Sequence, residues 1–141
     1  MRRKNLGNVI LSTKLLESKE YENIIASADI GLVLYKQVPN NKNSKYTQKN
    51  IKTIGLSSGK FSYYMKYGLP VVTLNQNSYS ELLKHYNFGF NINEFTEMPE
   101  AINKILLDYD FYSSEAKRLF NERLKFDLYW PNLLNKIINI I

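Results

Sequence analysis

The sequence predicts an α/β fold, with a parallel sheet of about four strands flanked by helices and a helical C-terminus. Through about residue 108, short apolar runs alternate with segments whose apolar residues recur at helical spacing, as in βαβ units. Beyond that point only the helical spacing continues. With 141 residues, 44% of them hydrophobic, the chain is expected to form one domain, residues 1–141, around its own core.

Four apolar runs, each bounded by polar or turn-forming residues, are the predicted strands. The third begins with a proline, which is tolerated at a first strand position because no ladder hydrogen bond is lost there. The strands are predicted at 9–11, 30–35, 70–74 and 88–92.

Helical spacing of apolar residues falls between these strands and after the last one. Ser18 is predicted to cap the first helix, and the polar stretch 36–50 is predicted to be a long loop. The predicted helical faces lie within 21–28, 61–68, 79–86, 98–106, 116–120 and 134–141.

Composition excludes several classes of function. The chain has no cysteine, and its only histidine is His85, so thiolate chemistry, a histidine metal cluster and a Ser-His-Asp triad are all excluded. The net charge of +6 favours an anionic partner. No aromatic-basic platform or recognition helix is evident, which argues against nucleic acid.

The sequence favours a cytoplasmic protein, since no apolar run approaches the roughly 20 residues of a membrane span. The basic trio Arg2-Arg3-Lys4 has two interpretations. It is either a solvated terminus or a peripheral contact with the inner face of a membrane.

The segment GLSSGK at 55–60 is the strongest candidate site. It is not a Walker A loop, because its glycines are one residue too close and Phe61 stands where a Mg²⁺-binding hydroxyl is needed. Small residues at a helix start nevertheless let backbone N–H groups approach an anion. The alternative is a plain helix cap formed by Ser57 or Ser58.

Three other features are predicted to have no chemical role. Asp108-Tyr109-Asp110 spells the Asp-x-Asp of metal-dependent sugar transferases, but it lies between two amphipathic helices and is interpreted as a helix junction. His85 is predicted to be a surface residue, and Trp130, beside Pro131, to pack at a helix bend.

Several segments, in this order, resemble the C-terminal half of a GT-B glycosyltransferase of the group 1, or family 4, type. They are ASADIGLVLY at 26–35, GLSSGKFSYYMKYGLPVV at 55–72, SELLKHYNFGF at 80–90 and the helical stretch 97–130. The resemblance implies a partial Rossmann-like domain that binds a nucleotide diphosphate sugar and needs no metal or other cofactor. The acceptor would bind mainly to a separate N-terminal domain.

The resemblance also implies roles for individual residues. Ser57, Ser58, Gly59 and Lys60 would cradle the diphosphate of the donor. Thr13, Lys14 and Leu15 would lie along its base. Family members often carry two Glu residues where this chain has Gly55 and Tyr63. The second Glu usually holds the ribose, so Tyr63 occupies the ribose position with a single hydroxyl.

A full domain of this kind has a sheet of about six strands, and this chain resembles it from the third strand onward. We therefore expect the chain to need an N-terminal domain or a partner chain, and to self-associate when isolated. Two functions remain open: the donor-binding half of a glycosyltransferase, and a non-catalytic nucleotide-binding module or truncated remnant.

Overall fold

The computed structural model of the chain describes residues 15–35 and 55–140. Three parallel strands form one sheet in the order β1, β2, β3. Their bounds are Gly31–Val33 for β1, Val71–Leu74 for β2 and Gly89–Ile92 for β3. The α/β prediction is confirmed. The predicted strand at 9–11 and the loop at 36–50 lie outside the described residues.

Six α-helices accompany these strands in the described part of the chain. A 3-10 turn, Gly55–Ser57, precedes the second helix, and π-helical and 3-10 turns at Phe120–Leu124 and Phe126–Leu128 precede the last. The helices are α1 Ser18–Ala26, α2 Gly59–Tyr67, α3 Asn77–Leu83, α4 Met98–Leu107, α5 Tyr109–Leu119 and α6 Trp130–Ile138.

The central strand of the sheet, β2, is covered on both faces. All four residues of β2 are buried, which explains why this strand is apolar at every position except Thr73 and does not alternate with exposed polar residues. On one face, α2, α3 and α5 contribute Phe61, Met65, Tyr79, Ala116 and Leu119. On the other face, α4 contributes Ala101 and Ile105.

Two glycines are required by this packing. Gly68 ends α2 in the left-handed conformation, with φ of 69°. Gly89 has φ of 145°, and a Cβ there would lie 1.9 Å from the carbonyl oxygen of Val71 on the neighbouring strand. Close pairing of β2 and β3 therefore depends on the absence of a side chain at position 89.

Two details of the helix ends differ from the prediction. Glu17 rather than Ser18 is the N-cap of α1, since its carboxylate forms a reciprocal capping box with Glu20. Pro131 lies in the first turn of α6, where a proline fits a straight helix, so it makes no bend. The interruption between α5 and α6 occurs earlier, through the turns at Phe120–Leu124 and Phe126–Leu128.

Candidate functional site

The first turn of α2 lies beside the carboxyl end of β1. Tyr35 lies two residues beyond the end of β1, and its hydroxyl is 2.7 Å from the Oγ of Ser58, the N-cap of α2. In open parallel sheets, ligands bind at this carboxyl edge, and a helix N-terminus there favours an anion. The structure thus brings GLSSGK to the edge of the sheet where binding is expected.

Ser58 caps α2, as the helix-cap alternative proposed. Its side chain is 3% exposed and accepts a hydrogen bond from the backbone N–H of Phe61 at 3.4 Å, besides its contact with Tyr35. The Ser58 hydroxyl is therefore engaged inside the protein and holds the turn in place. The neighbouring Ser57 is exposed.

Gly59 and Lys60 face outward from the same turn. A Cβ built on Gly59 would meet no atom within 4 Å, so the backbone of this residue is open to an approaching group. The Lys60 ammonium lies 4.6 Å from the centre of the Tyr35 ring, a cation–π contact that holds the charge near the helix start. Both features are compatible with an anion held by backbone N–H groups and one cation.

Tyr79 holds the 3-10 turn Gly55–Ser57 in place from the protein interior. Its fully buried hydroxyl donates to the carbonyl of Gly55 at 3.0 Å. Burial raises the pKa of Tyr79 to about 12, although hydrogen bonding to Ser58 acts in the opposite direction. Gly55 has φ of 28°, and a Cβ there would be 2.7 Å from the Oγ of Ser78. A Glu, which the resemblance expects at this position, would therefore displace the turn.

A polar turn after β2 was not predicted from the sequence. Asn75 has a positive φ of 44°. The side-chain amide of Asn91 accepts from the backbone N–H of Gln76 at 3.2 Å and donates to its carbonyl at 3.0 Å. Within the described residues, the buried Gln76 Oε1 and Ser78 Oγ have no hydrogen-bond partner. The polar run NQNS directly after a buried strand is the sequence signal that could have identified this turn.

The remaining predicted site residues lie apart from the first turn or outside the described residues. Tyr63, one helical turn further along α2, packs edge to face against Tyr21 of α1 with ring centres 5.6 Å apart. Leu15 is 94% exposed. Thr13 and Lys14 lie outside the described residues.

The structure places all three features that are predicted to have no chemical role. Asp108 joins α4 to α5 and Asp110 lies in the first turn of α5, so the helix-junction interpretation is confirmed. His85 is an exposed residue whose carbonyl accepts from Arg118 at 2.7 Å. Trp130 packs against Phe126 at the start of α6.

The described residues contain neither a metal-binding cluster nor a membrane-spanning helix. No three acidic or histidine side chains in 15–35 and 55–140 are grouped closely enough to hold a metal ion. None of the helices described has the length and apolar character needed to cross a membrane.

Comparison with known families gives one match, to the model described as "glucosyltransferase 3-like, C-terminal domain", over residues 4–137. No curated protein and no solved structure matches the chain. The family match spans almost the whole sequence. The chain therefore belongs to the glucosyltransferase 3-like C-terminal domain family and is a glycosyltransferase C-terminal domain.

Proposed function

We propose that the chain is the donor-binding half of a GT-B glycosyltransferase of the family 4 type, and that it binds a nucleotide diphosphate sugar at the first turn of α2. One observation carries the proposal. The open backbone of Gly59 and the cation of Lys60 lie together at a helix start on the carboxyl edge of a parallel sheet.

The chemistry follows from the helix start. As the sugar is transferred, the nucleotide diphosphate leaves with its negative charge, and the partial positive charge of the α2 N-terminus stabilises it. Ser57, Ser58, Gly59 and Lys60 form the cradle. Ser58 contributes by capping the helix and bonding to Tyr35, so that the N–H groups are fixed before the donor arrives. No metal is needed for this stabilisation.

The proposed positions of the ribose and the base of the donor are those that the family resemblance implies. The ribose would lie beside Tyr63, and the base along Thr13, Lys14 and Leu15. The acceptor would be bound by an N-terminal domain or a partner chain. The exposed apolar face of α6 supports such a contact, because Leu134, Ile137 and Ile138 are each more than a third exposed.

A non-catalytic nucleotide-binding module is the second candidate. The observation that favours it is the packing at Gly55, where Ser78 fills the space that a Glu side chain would need. A chain that lacks both of the family's Glu residues would bind the nucleotide but not transfer the sugar. A transferase assay with the acceptor-binding half present separates the two functions, because only the first predicts turnover.

Calorimetric titration with UDP and GDP tests the cradle. Gly59→Val should abolish binding while leaving the fold intact, since its Cβ would meet no protein atom. Lys60→Ala should cost about 1.5 to 3 kcal/mol, the range for a charge-assisted hydrogen bond. Lys84→Ala is the matched control, because Lys84 forms an exposed pair with Glu81 of α3, away from the first turn of α2.

The same titration tests whether nucleotide binding requires a metal ion. EDTA, Asp108→Asn and Asp110→Asn should each leave the nucleotide affinity unchanged. If Gly59→Val and Lys60→Ala both bind UDP and GDP as the parent does, the cradle assignment is wrong and the turn is only a helix cap. A Mn²⁺ dependence lost in either Asp variant would require a different mechanism.

A further inference from the structure

Tyr35 joins the carboxyl end of β1 to the first turn of α2. Its side chain is half-buried and packs against the core cluster that contains Tyr79. Its hydroxyl lies 2.7 Å from the Oγ of Ser58, and the centre of its ring lies 4.6 Å from the ammonium of Lys60. One side chain, held by the core, therefore contacts both the cap of the helix and the cation beside it.

The hydrogen bonds around Ser58 fix the direction of its contact with Tyr35. A serine hydroxyl has one proton to donate and two lone pairs that accept. One lone pair accepts from the N–H of Phe61 at 3.4 Å. The Tyr79 hydroxyl donates its own proton to the carbonyl of Gly55 at 3.0 Å, so Ser58 is the donor in its bond to Tyr79. The second lone pair of Ser58 then accepts from Tyr35, and the Ser58 hydroxyl is fully engaged inside the protein.

This pairing decides which groups of the first turn are left for a ligand. The first N–H groups of a helix have no acceptor within the helix. The Ser58 cap takes the N–H of Phe61. The N–H groups of Gly59 and Lys60 are left to bind an anion, together with the Lys60 ammonium. Ser58 thus affects a bound anion through the shape of the turn, and the hydroxyl of Tyr35 holds that shape.

The ring of Tyr35 acts on Lys60 in a second way. A lysine side chain loses rotamer freedom when it binds a phosphate, and that loss weakens binding. The cation–π contact restricts the Lys60 side chain beforehand. An ammonium has three N–H donors, so its contact with a ring face leaves donors for phosphate oxygens.

We infer that Tyr35 is a positioning residue of the donor site: its hydroxyl sets the cap of α2, and its ring holds the Lys60 ammonium where the diphosphate binds. The inference rests on the proposed function, because Tyr35 acts through two members of the proposed cradle and not by contact with the donor. Substitutions of Tyr35 should therefore weaken nucleotide binding only by way of Ser58 and Lys60.

Calorimetric titration with UDP compares two substitutions of Tyr35. Tyr35→Phe keeps the ring and removes the hydroxyl, and should weaken UDP binding about 3- to 10-fold, the value of one hydrogen bond. Tyr35→Leu removes both contacts and should weaken UDP binding about 10- to 30-fold.

Tyr86→Phe and Tyr86→Leu are the matched controls. Tyr86 is a buried tyrosine of the core cluster against which Tyr35 packs, and its hydroxyl bonds to Glu122 at 2.9 Å. The two control variants lose the same chemical groups away from the cradle. They should lower the melting temperature and leave the affinity for UDP as in the parent.

Two double substitutions separate positioning from general support of the fold, because residues that act through one another have non-additive effects. When Ser58 is already Ala, Tyr35→Phe should weaken UDP binding no further. When Lys60 is already Ala, Tyr35→Leu should weaken it no more than Tyr35→Phe does, since the ring then has no cation to hold. A residue that only supports the fold would give additive effects in both pairs.

Equal UDP affinities of the Tyr35 and Tyr86 variants, or additive effects in both pairs, would overturn the inference. The proposed function would stand in that case as long as Lys60→Ala weakens binding. If Tyr35→Leu does not fold, Tyr35→Phe with and without Ser58→Ala decides the result. Failure of the parent chain to bind UDP and GDP would overturn the proposed function, and the role of Tyr35 with it.

Discussion

Residues 55–119 and residues 120–140 both contain amphipathic helices, but only the first region buries them. α5 places Ala116 and Leu119 in the core, each with no exposed surface. α6 has a regular apolar face as well, yet Leu134 and Ile137 are 38% and 44% exposed. Among the described residues, none beyond Leu119 is buried.

The difference shows that an apolar face on a helix specifies burial only where a second surface is available. α5 lies against α2 and the β-sheet, whereas the hydrogen bonds from 125 onward are local, such as the one from the Tyr129 hydroxyl to the carbonyl of Arg123. Phe120 and Leu124 still touch the core cluster. Folding stability should therefore come from the region before residue 120, and association from the region after it.

Gly89→Ala should have the largest effect on stability. The added Cβ would overlap the backbone of Val71, and φ of 145° is unfavourable for any other residue. We expect a loss of about 4 kcal/mol or more, enough to remove the cooperative thermal transition. Gly59→Ala is the control, since its Cβ meets no atom, and should change stability by less than about 0.5 kcal/mol. If the two variants have similar thermal transition midpoints, the close pairing of β2 and β3 at Gly89 is wrong.

Leu119→Ala and Leu134→Ala compare the two regions directly with the same chemical change. Leu119 is fully buried, so its truncation should cost about 2 to 5 kcal/mol. Leu134 should cost less than about 1 kcal/mol, because much of its side chain already contacts solvent. Urea unfolding at one fixed protein concentration measures both. Equal losses of stability would mean that α6 is packed in solution, and the proposed difference between the two regions would be wrong.

Tyr79 should make the first region sensitive to alkali. The pKa of Tyr79 is raised to about 12 in the folded state, whereas the ordinary pKa of a tyrosine is near 10. The protonated Tyr79 side chain therefore makes its full contribution to the stability of the fold below about pH 10. That contribution, about 2 to 3 kcal/mol, is lost as the pH rises from about 10 to 12. Tyr79→Phe should be less stable than the parent at neutral pH, having lost the bond to Gly55, and the difference should shrink above pH 10.

Unfolding by urea at several pH values measures this effect. Tyr129→Phe, an exposed tyrosine of the second region, is the control and should follow the parent curve. A constant difference between Tyr79→Phe and the parent up to pH 12 would show that the Tyr79 hydroxyl is not held in a buried environment.

The fold was largely predictable, because each described strand is a short apolar run between polar residues. Helical faces such as Phe61 with Met65 and Ala101 with Ile105 were also predicted, since tertiary packing followed the local pattern. The cap of α1 was misplaced by one residue, because a Glu can cap as a serine does. The prediction of a bend at Pro131 was wrong. The backbone nitrogen of a residue in the first turn has no partner within the helix, so a proline there removes no helical hydrogen bond.

The candidate site was less predictable. GLSSGK was identified from its own residues, but the side chains that hold it come from elsewhere. Tyr35 contacts Ser58 across 23 positions, and Tyr79 contacts Gly55 across 24. Spacing within one segment carries no information on such contacts. Whether the segment binds a nucleotide remains a prediction, as do the roles of Tyr63 and Leu15.

The apolar face of α6 should affect association more than stability. Leu134, Ile137 and Ile138 form a stripe with a polar face made mainly of neutral asparagines, and such an exposed stripe usually marks an interface. In the described residues β1 is also an edge strand, which leaves a second place for pairing. We therefore expect the isolated chain to self-associate at micromolar concentration, or to need a partner, and to transfer no sugar alone.

Replacing Leu134, Ile137 and Ile138 together with Gln tests this expectation, because Gln removes the apolar stripe and still favours a helix. Light scattering should show a smaller species, while the unfolding midpoint at fixed concentration changes by only a few degrees. Leu106→Gln with Leu107→Gln is the control, since these leucines of α4 are 54% and 86% exposed but lie outside the stripe. If the parent chain is a stable monomer that turns over a nucleotide sugar, α6 has no missing partner, and its exposed face must have another explanation.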